Sequence, residues 1–145
     1  MNIDIYFLTS DPQHHTYEFY SEGPKGKIKK GIIYTEIEYN VYNLAFGDWN
    51  EAEQRIDDEV RTNNSDRDKV LATVAWSILD FVNFHPDASI FFQGNTSSRT
   101  RLYQMKIAEN IEDYDQLFEI FGHVKNEWEP FQRNKNYKAL MLIPR

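Results

Sequence analysis

Cysteine is absent from all 145 residues, which excludes disulfides, thiolate metal sites and a cysteine nucleophile together. Long apolar runs are missing as well, and nothing approaches the roughly 20 residues that a membrane-spanning helix needs. The opening MNIDIYFLTS has no basic leader, no apolar stretch of signal-peptide length and no small-residue cleavage site. A cytoplasmic protein with no membrane partner is therefore expected, and the Asn-x-Ser/Thr sequons at Asn63 and Asn95 are chance matches. There is no Gly-x-x-x-x-Gly-Lys-Ser/Thr loop, no His-Glu-x-x-His pair and no Gly-x-Ser-x-Gly elbow. Internal repeats and low-complexity segments are also lacking.

Positive charge is in the minority: 16 Lys and Arg against 23 Asp and Glu leave a net charge of −7. A surface that binds nucleic acid all over is excluded, because such binding draws most of its affinity from phosphates. The charge is unevenly spread. Residues 23–31 hold four lysines and no acid, whereas 48–68 hold eight acids against three arginines. One basic face and one strongly acidic face are expected.

What is present, 41% hydrophobic and 15% aromatic residues, suffices for a core in a single α+β domain spanning 1–145. β-Branched and aromatic residues predict strands over Thr16–Ser21, Lys27–Ile37 and Tyr39–Trp49. The first two are joined through Glu22-Gly23-Pro24-Lys25-Gly26, and the phase slips near Gly31 as a β-bulge would make it. In the third strand Val41, Leu44 and Phe46 are the expected inward residues. A weak edge strand follows within Arg55–Arg61. Ser65 then reads as the cap of a long helix whose Val70, Leu71, Val74, Ala75, Ile78, Leu79 and Val82 recur at spacings of three and four, and His85-Pro86-Asp87 stops it. A short strand over Ala88–Gln93, a helix from Ser97, a turn over Asn110–Asp115 and strands over Leu117–Val124, Glu127–Gln132 and Tyr137–Ile143 complete the chain. The order β-β-β-(β)-α-β-α-β-β-β predicts a mostly antiparallel sheet with two main helices packed on one face. Trp49, Trp76 and Trp128 are expected in the core.

Ala88–Ile107 carries the clearest functional signal. A strand runs through Gly94 and hydroxyl-bearing residues into a helix, and the first N–H groups of a helix form a ready anion site. The phosphate-binding candidates are Asn95, Thr96, Ser97, Ser98, Arg99, Arg101, Tyr103 and Lys106. Helical spacing puts Arg99, Tyr103 and Lys106 in one sector and Arg101 about 200° away from Arg99. Lys25 and Lys27, at the tip of the lysine hairpin, are a second phosphate-reaching element. No metal and no cofactor are expected. Asp57, Asp58, Glu59, Asp66 and Asp68 lack a recognised ligand spacing, and consecutive acids on a strand point to opposite faces. Of the histidines, His14-His15 reads as a solvated segment, His85 as a helix terminator and His123 as a strand residue. No catalytic residue is assigned.

The series Ser21-Glu22-Gly23-Pro24-Lys25-Gly26-Lys27-Ile28-Lys29-Lys30, Tyr42-Asn43-Leu44-Ala45-Phe46-Gly47-Asp48, Thr62-Asn63-Asn64, Lys69-Val70-Leu71-Ala72-Thr73-Val74-Ala75, Arg99-Thr100-Arg101-Leu102-Tyr103 and Trp128-Glu129-Pro130-Phe131 resembles a family of small uncharacterised single-domain proteins of Bacteroidetes-type bacteria. The resemblance spans nearly the whole chain and implies no reaction, cofactor or catalytic residue. Two function classes follow. The first is a phosphate-recognising protein for RNA, DNA or a nucleotide, of the kind found in small toxin or defence systems. The second is a non-catalytic protein-interaction or regulatory module that offers its acidic segment to a basic protein partner.

Overall fold

The computed structural model describes residues 4–57, 63–94 and 96–145. Its contacts divide these residues into two compact units, one of 4–34 and 45–84 and the other of 35–44 and 85–145. The α+β class and the mostly antiparallel strand pairing are as expected.

The unit of 4–34 and 45–84 is built on a hairpin. Strand β2, Thr16–Gly23, pairs antiparallel with β3, Gly26–Glu38, in a register running from Thr16↔Ile33 to Gly23↔Gly26. Gly26 takes φ +87°, a left-handed value that glycine adopts without strain and that lets the chain reverse at Pro24-Lys25. Tyr17, Phe19 and Ser21 alternate inward along β2. Two short strands belong to the same unit. β1, Thr9–Ser10, pairs with β2, and β5, Arg55–Asp57, pairs with the later part of β4, Val41–Asn50. The part of the expected edge strand beyond Asp57 lies outside the described residues.

The β2–β3 register is unbroken at Gly31, so no bulge lies in that ladder. The slip in phase has another cause: Lys30, Gly31 and Ile32 are buried in succession. Both faces of β3 are covered there. Ile32 lies on the Tyr17 side, while a Cβ on Gly31 would lie 3.1 Å from the Trp49 ring on the other. Buried Lys30 is stabilised by an ion pair with the equally buried Asp48.

Helix α1 runs over Arg67–Phe84. Its start differs from the sequence reading. Ser65 has φ 61° and gives its N–H to Asn63 Oδ1 at 3.0 Å, so it does not cap; the first helical hydrogen bond, Val70 N to Asp66 O, begins one residue later. Burial is also broader at one end and narrower at the other. Val70 to Ala75 are all buried, as are Ser77, Ile78 and Phe81, whereas Leu79 and Val82 are only half-buried and Trp76 is exposed. The helix is anchored by the Tyr34 ring, stacked on Phe81 at 4.0 Å, and by Tyr34 Oη, 2.8 Å from Ser77 Oγ. Ahead of β1, Tyr6 N donates to Thr73 Oγ1 at 2.9 Å and ties segment 4–8 to the same helix.

The unit of 35–44 and 85–145 takes the ends of β3 and β4 that meet at Asn40. β6, Ser89–Phe92, pairs parallel with β4, Val41↔Ser89 to Asn43↔Phe91. The remaining ladders are antiparallel: β6 with β9, Ala139–Pro144, β9 with β7, Phe118–Val124, and β7 with β8, Glu127–Pro130. The order is therefore β4-β6-β9-β7-β8. In β4, Leu44 is buried as expected and Val41 and Phe46 are half-buried. Trp128 is exposed rather than in the core.

Two helices belong to this unit. α2 covers Ser97–Glu109, and α3, Ile111–Leu117, replaces the expected turn over Asn110–Asp115. Asn110 explains the second helix. Its N–H closes α2 on Ile107 O at 3.1 Å, and its own carbonyl accepts from Asp113 and Tyr114 to open α3. Glu112 and Asp113 sit at the favourable end of the α3 dipole, and fully buried Tyr114 anchors it.

Candidate anion site beside helix α2

The junction from β6 into α2 is held by threonines. Thr96 is the N-cap, with φ −132° and ψ 158°, and its Oγ1 accepts from Arg99 N at 3.2 Å. Buried Thr100 accepts from Gly94 N at 2.9 Å and donates to Thr96 O at 3.3 Å. Gly94 must be small, since a Cβ there would lie 2.6 Å from Thr100 N. Asn95 lies outside the described residues. Ser97 and Ser98 are exposed on the first turn, where helix geometry leaves their N–H groups without intrahelical acceptors.

The other expected ligands are dispersed. Tyr103 sets its ring edge-on to Phe92 at 5.6 Å and is half-buried, so it packs α2 on β6. Lys106 Nζ pairs with Glu109 at 3.0 Å. Arg99 is half-buried and engaged by neighbours, while Arg101 is exposed and donates to Asn136 Oδ1. Lys25 and Lys27 belong to the β2–β3 turn in the other unit. Lys25 N donates to Asn64 Oδ1 at 2.7 Å, and exposed Lys27 faces Glu22 at 3.6 Å.

Arg101 opens instead onto a cleft of about 300 Å³ between α2 and residues 131–136, which Arg133, Lys135 and Phe131 also line. This cleft is well supported. The buried Gln104 amide donates to Lys135 O at 2.7 Å and accepts from Tyr137 N at 3.0 Å, tying the segment to α2. Tyr137 Oη accepts from Gln132 N at 3.1 Å and donates to Glu129 Oε2 at 2.9 Å, and the Tyr137 ring fills the space that a Cβ on Gly122 would occupy. Lys135 Nζ meets both Glu129 oxygens at 2.8 Å. Among the described residues neither Arg101 nor Arg133 has a carboxylate partner. Arg133 and Lys135 fall between the expected strands Glu127–Gln132 and Tyr137–Ile143 and were assigned no role from the sequence. The available signal was a loop that concentrates cations and amides, a usual place for function.

The Lys135 ammonium, and then the Tyr137 hydroxyl, hold the Glu129 carboxyl below its usual range. Burial, and then Glu129, push Tyr137 up. A carboxyl whose folded value is depressed contributes stability above its unfolded value, about 4.3 for Glu, and loses it as pH falls through the folded value. The Glu129 carbon resonance should therefore titrate with a midpoint below about 4.3, and Lys135→Ala should raise that midpoint. A wild-type midpoint at or above the ordinary value would show the Lys135 contact to be absent in solution.

Ser10, His14 and Asp80 also come together, which corrects the reading of His14-His15 as solvated. His14 stacks on Phe84 at 3.5 Å, and its Nδ1 lies 2.8 Å from Asp80 Oδ2 and 3.3 Å from Ser10 Oγ. Both oxygens approach the same ring nitrogen, whereas a proton relay needs one on each. This is not a nucleophilic triad.

The acidic segment has internal partners. Asp48 faces Lys30, Glu51 lies 2.8 Å from Lys29, and Glu53 lies 2.6 Å from Arg55 Nε. Asp66 accepts from Tyr6 Oη at 2.6 Å and from Ser21 Oγ. Asp58 and Glu59 lie outside the described residues.

The fold and cleft define an α+β protein, mostly antiparallel, with a cationic groove beside its second helix. The chain belongs to a family of unknown function, DUF6934, whose model matches residues 2–145. Neither a curated protein nor a solved structure matches it. Among the described residues no helix is long and apolar enough to cross a membrane.

Proposed function

We propose that the chain recognises a phosphate-bearing ligand, a nucleotide or the end of an RNA or DNA strand, in the cleft between α2 and residues 131–136. One observation carries this reading: Arg101 and Arg133 open into one cleft and, among the described residues, neither is neutralised by a carboxylate. A guanidinium presents paired N–H donors that match two phosphate oxygens. Beside them, half-buried Phe131 and exposed Met105 supply an apolar wall against which a base can lie. A volume of about 300 Å³ suits one nucleotide unit, and the net charge of −7 disfavours an extended duplex footprint. A small toxin- or defence-type role in a Bacteroidetes-type bacterium is the proposed context, and an adjacent antitoxin-like gene would support it. No chemical step is assigned.

The test is a titration of labelled nucleotide and short RNA at several salt concentrations, with melts of the same proteins. Arg133→Ala and Arg101→Ala should each weaken binding by about 1.5–3 kcal/mol, on the order of tenfold to a hundredfold, with little change in Tm. Arg99→Ala separates the cleft from the helix start, because binding centred on Ser97 and Ser98 would suffer most from that change. Wild-type protein that binds neither ligand at low salt sinks the proposal, and so does binding that survives Arg133→Ala intact.

A further inference from the structure

The unit of 4–34 and 45–84 contains a cavity of about 600 Å³ that the proposed function does not use. Its wall is segment 5–8 on one side, Ser10, His14 and Tyr17 on another, and Trp76 and Asp80 of α1 on a third. That volume is within the range of small-molecule sites, roughly 300–1,000 Å³. Two large aromatic side chains stand open at it, Phe7 at 86% and Trp76 at 40% exposure. Trp76 and Asp80 are four residues apart on α1 and therefore share one face of the helix.

Asp80 is held so that one oxygen remains available. Oδ2 accepts from Tyr17 Oη at 2.6 Å and lies 2.8 Å from His14 Nδ1, while among the described residues no donor is set against Oδ1. Burial, and then the bond to Asp80, push the Tyr17 hydroxyl well above its ordinary range, so it stays protonated and donating. The carboxylate is only partly solvated, with its side chain 34% exposed. A fixed carboxylate oxygen next to an open indole face is the pairing that favours an ammonium group, by charge-assisted hydrogen bonding and by cation–π attraction. An anion would meet Asp80 head-on. A neutral ligand with no donor would leave Oδ1 unpaired.

We propose that this cavity binds a small organic cation, with its ammonium group between Asp80 Oδ1 and the Trp76 indole and its apolar body against Phe7 and Leu8. The site is separate from the α2 cleft and does not depend on it. Phenethylamine is the probe, with phenylpropionate and phenylethanol as anionic and neutral controls of similar size. The readout is the indole N–H resonance of Trp76, assigned by Trp76→Phe, in a proton–nitrogen correlation spectrum of the full chain. Phenethylamine should shift that resonance saturably and bind about tenfold or more tightly than either control. Asp80→Asn, which keeps an oxygen for Tyr17, should erase the preference for the amine. Phe7→Ala, a change at an exposed residue, should weaken all three probes and leave the melt unchanged. The proposal fails if phenethylamine gives no saturable shift, if phenylpropionate binds as well, or if folded Asp80→Asn keeps the preference. Should Asp80→Asn not fold, the probe comparison on wild type and Phe7→Ala decides alone: amine-preferring binding in the wild type that Phe7→Ala weakens for all three probes upholds the site, and binding that Phe7→Ala leaves untouched rejects it.

Discussion

Val74→Asp should leave no cooperative thermal transition. Val74 is buried in the middle of α1, where Val70 to Ala75 are covered without a break, so a carboxylate there has no route to water, and the nearest hydroxyls of the stripe, Thr73 and Ser77, already donate to Lys69 O and Val74 O. Single changes that cost more than about 4–5 kcal/mol arise from this kind of burial, and a domain has only about 5–15 kcal/mol to lose. Leu79→Asp tests the same helix from its edge. Because Leu79 is half-buried, its carboxylate can lean outward, and the cost should stay near 1–2 kcal/mol. Melts of the two variants side by side decide the point. Equal midpoints would mean that the buried face of α1 has been placed wrongly.

Asp48→Ala should be the next most damaging change, by about 3–5 kcal/mol, because it removes the carboxylate that faces the buried Lys30 ammonium. The pair is almost closed to water, with side-chain exposures of 6% and 11%. Lys30→Met should cost a similar amount by removing the ammonium that faces the buried Asp48 carboxylate. The double change Lys30→Met, Asp48→Leu should recover most of the loss or exceed wild type, since an apolar pair of similar volume escapes the desolvation of both charges. Urea unfolding of the four proteins measures the coupling directly. If each single change cost less than about 1 kcal/mol, the pair would be hydrated in solution like a surface bridge.

The elements that could be read from the sequence were those whose evidence is local. Spacings of three and four located α1, β-branched and aromatic residues located the first strands, and the change to helical spacing at Ser97 marked the start of α2. Errors arose where a residue's environment is set from a distance. Lys30 broke the alternation of β3 because its partner is Asp48, 18 residues on. Ser65 looked like a cap, but the preceding Asn64 is buried and bonded to Gly26 O at 2.8 Å, which directs the chain through a left-handed residue first. Asn110 was read as a turn because one residue both ends α2 and starts α3. For the site, Arg101 was named but its cleft was not, since the segment that carries Arg133 and Lys135 is joined to α2 by contacts distant in sequence, such as Gln104 to Lys135 O, 31 residues apart. His14 and Asp80 are 66 residues apart, and no spacing rule could join them.

The position of β9 has a consequence in time. This strand comes last in the sequence, yet it lies between β6 and β7 and pairs with both, and its Leu140 and Leu142 are fully covered. During synthesis, β6 and β7 leave the ribosome with no ladder joining them, each with an open edge of the sort that recruits foreign strands. Their sheet closes only when residues 139–144 arrive, so a prematurely terminated chain would release its products as aggregation seeds rather than as a shortened domain.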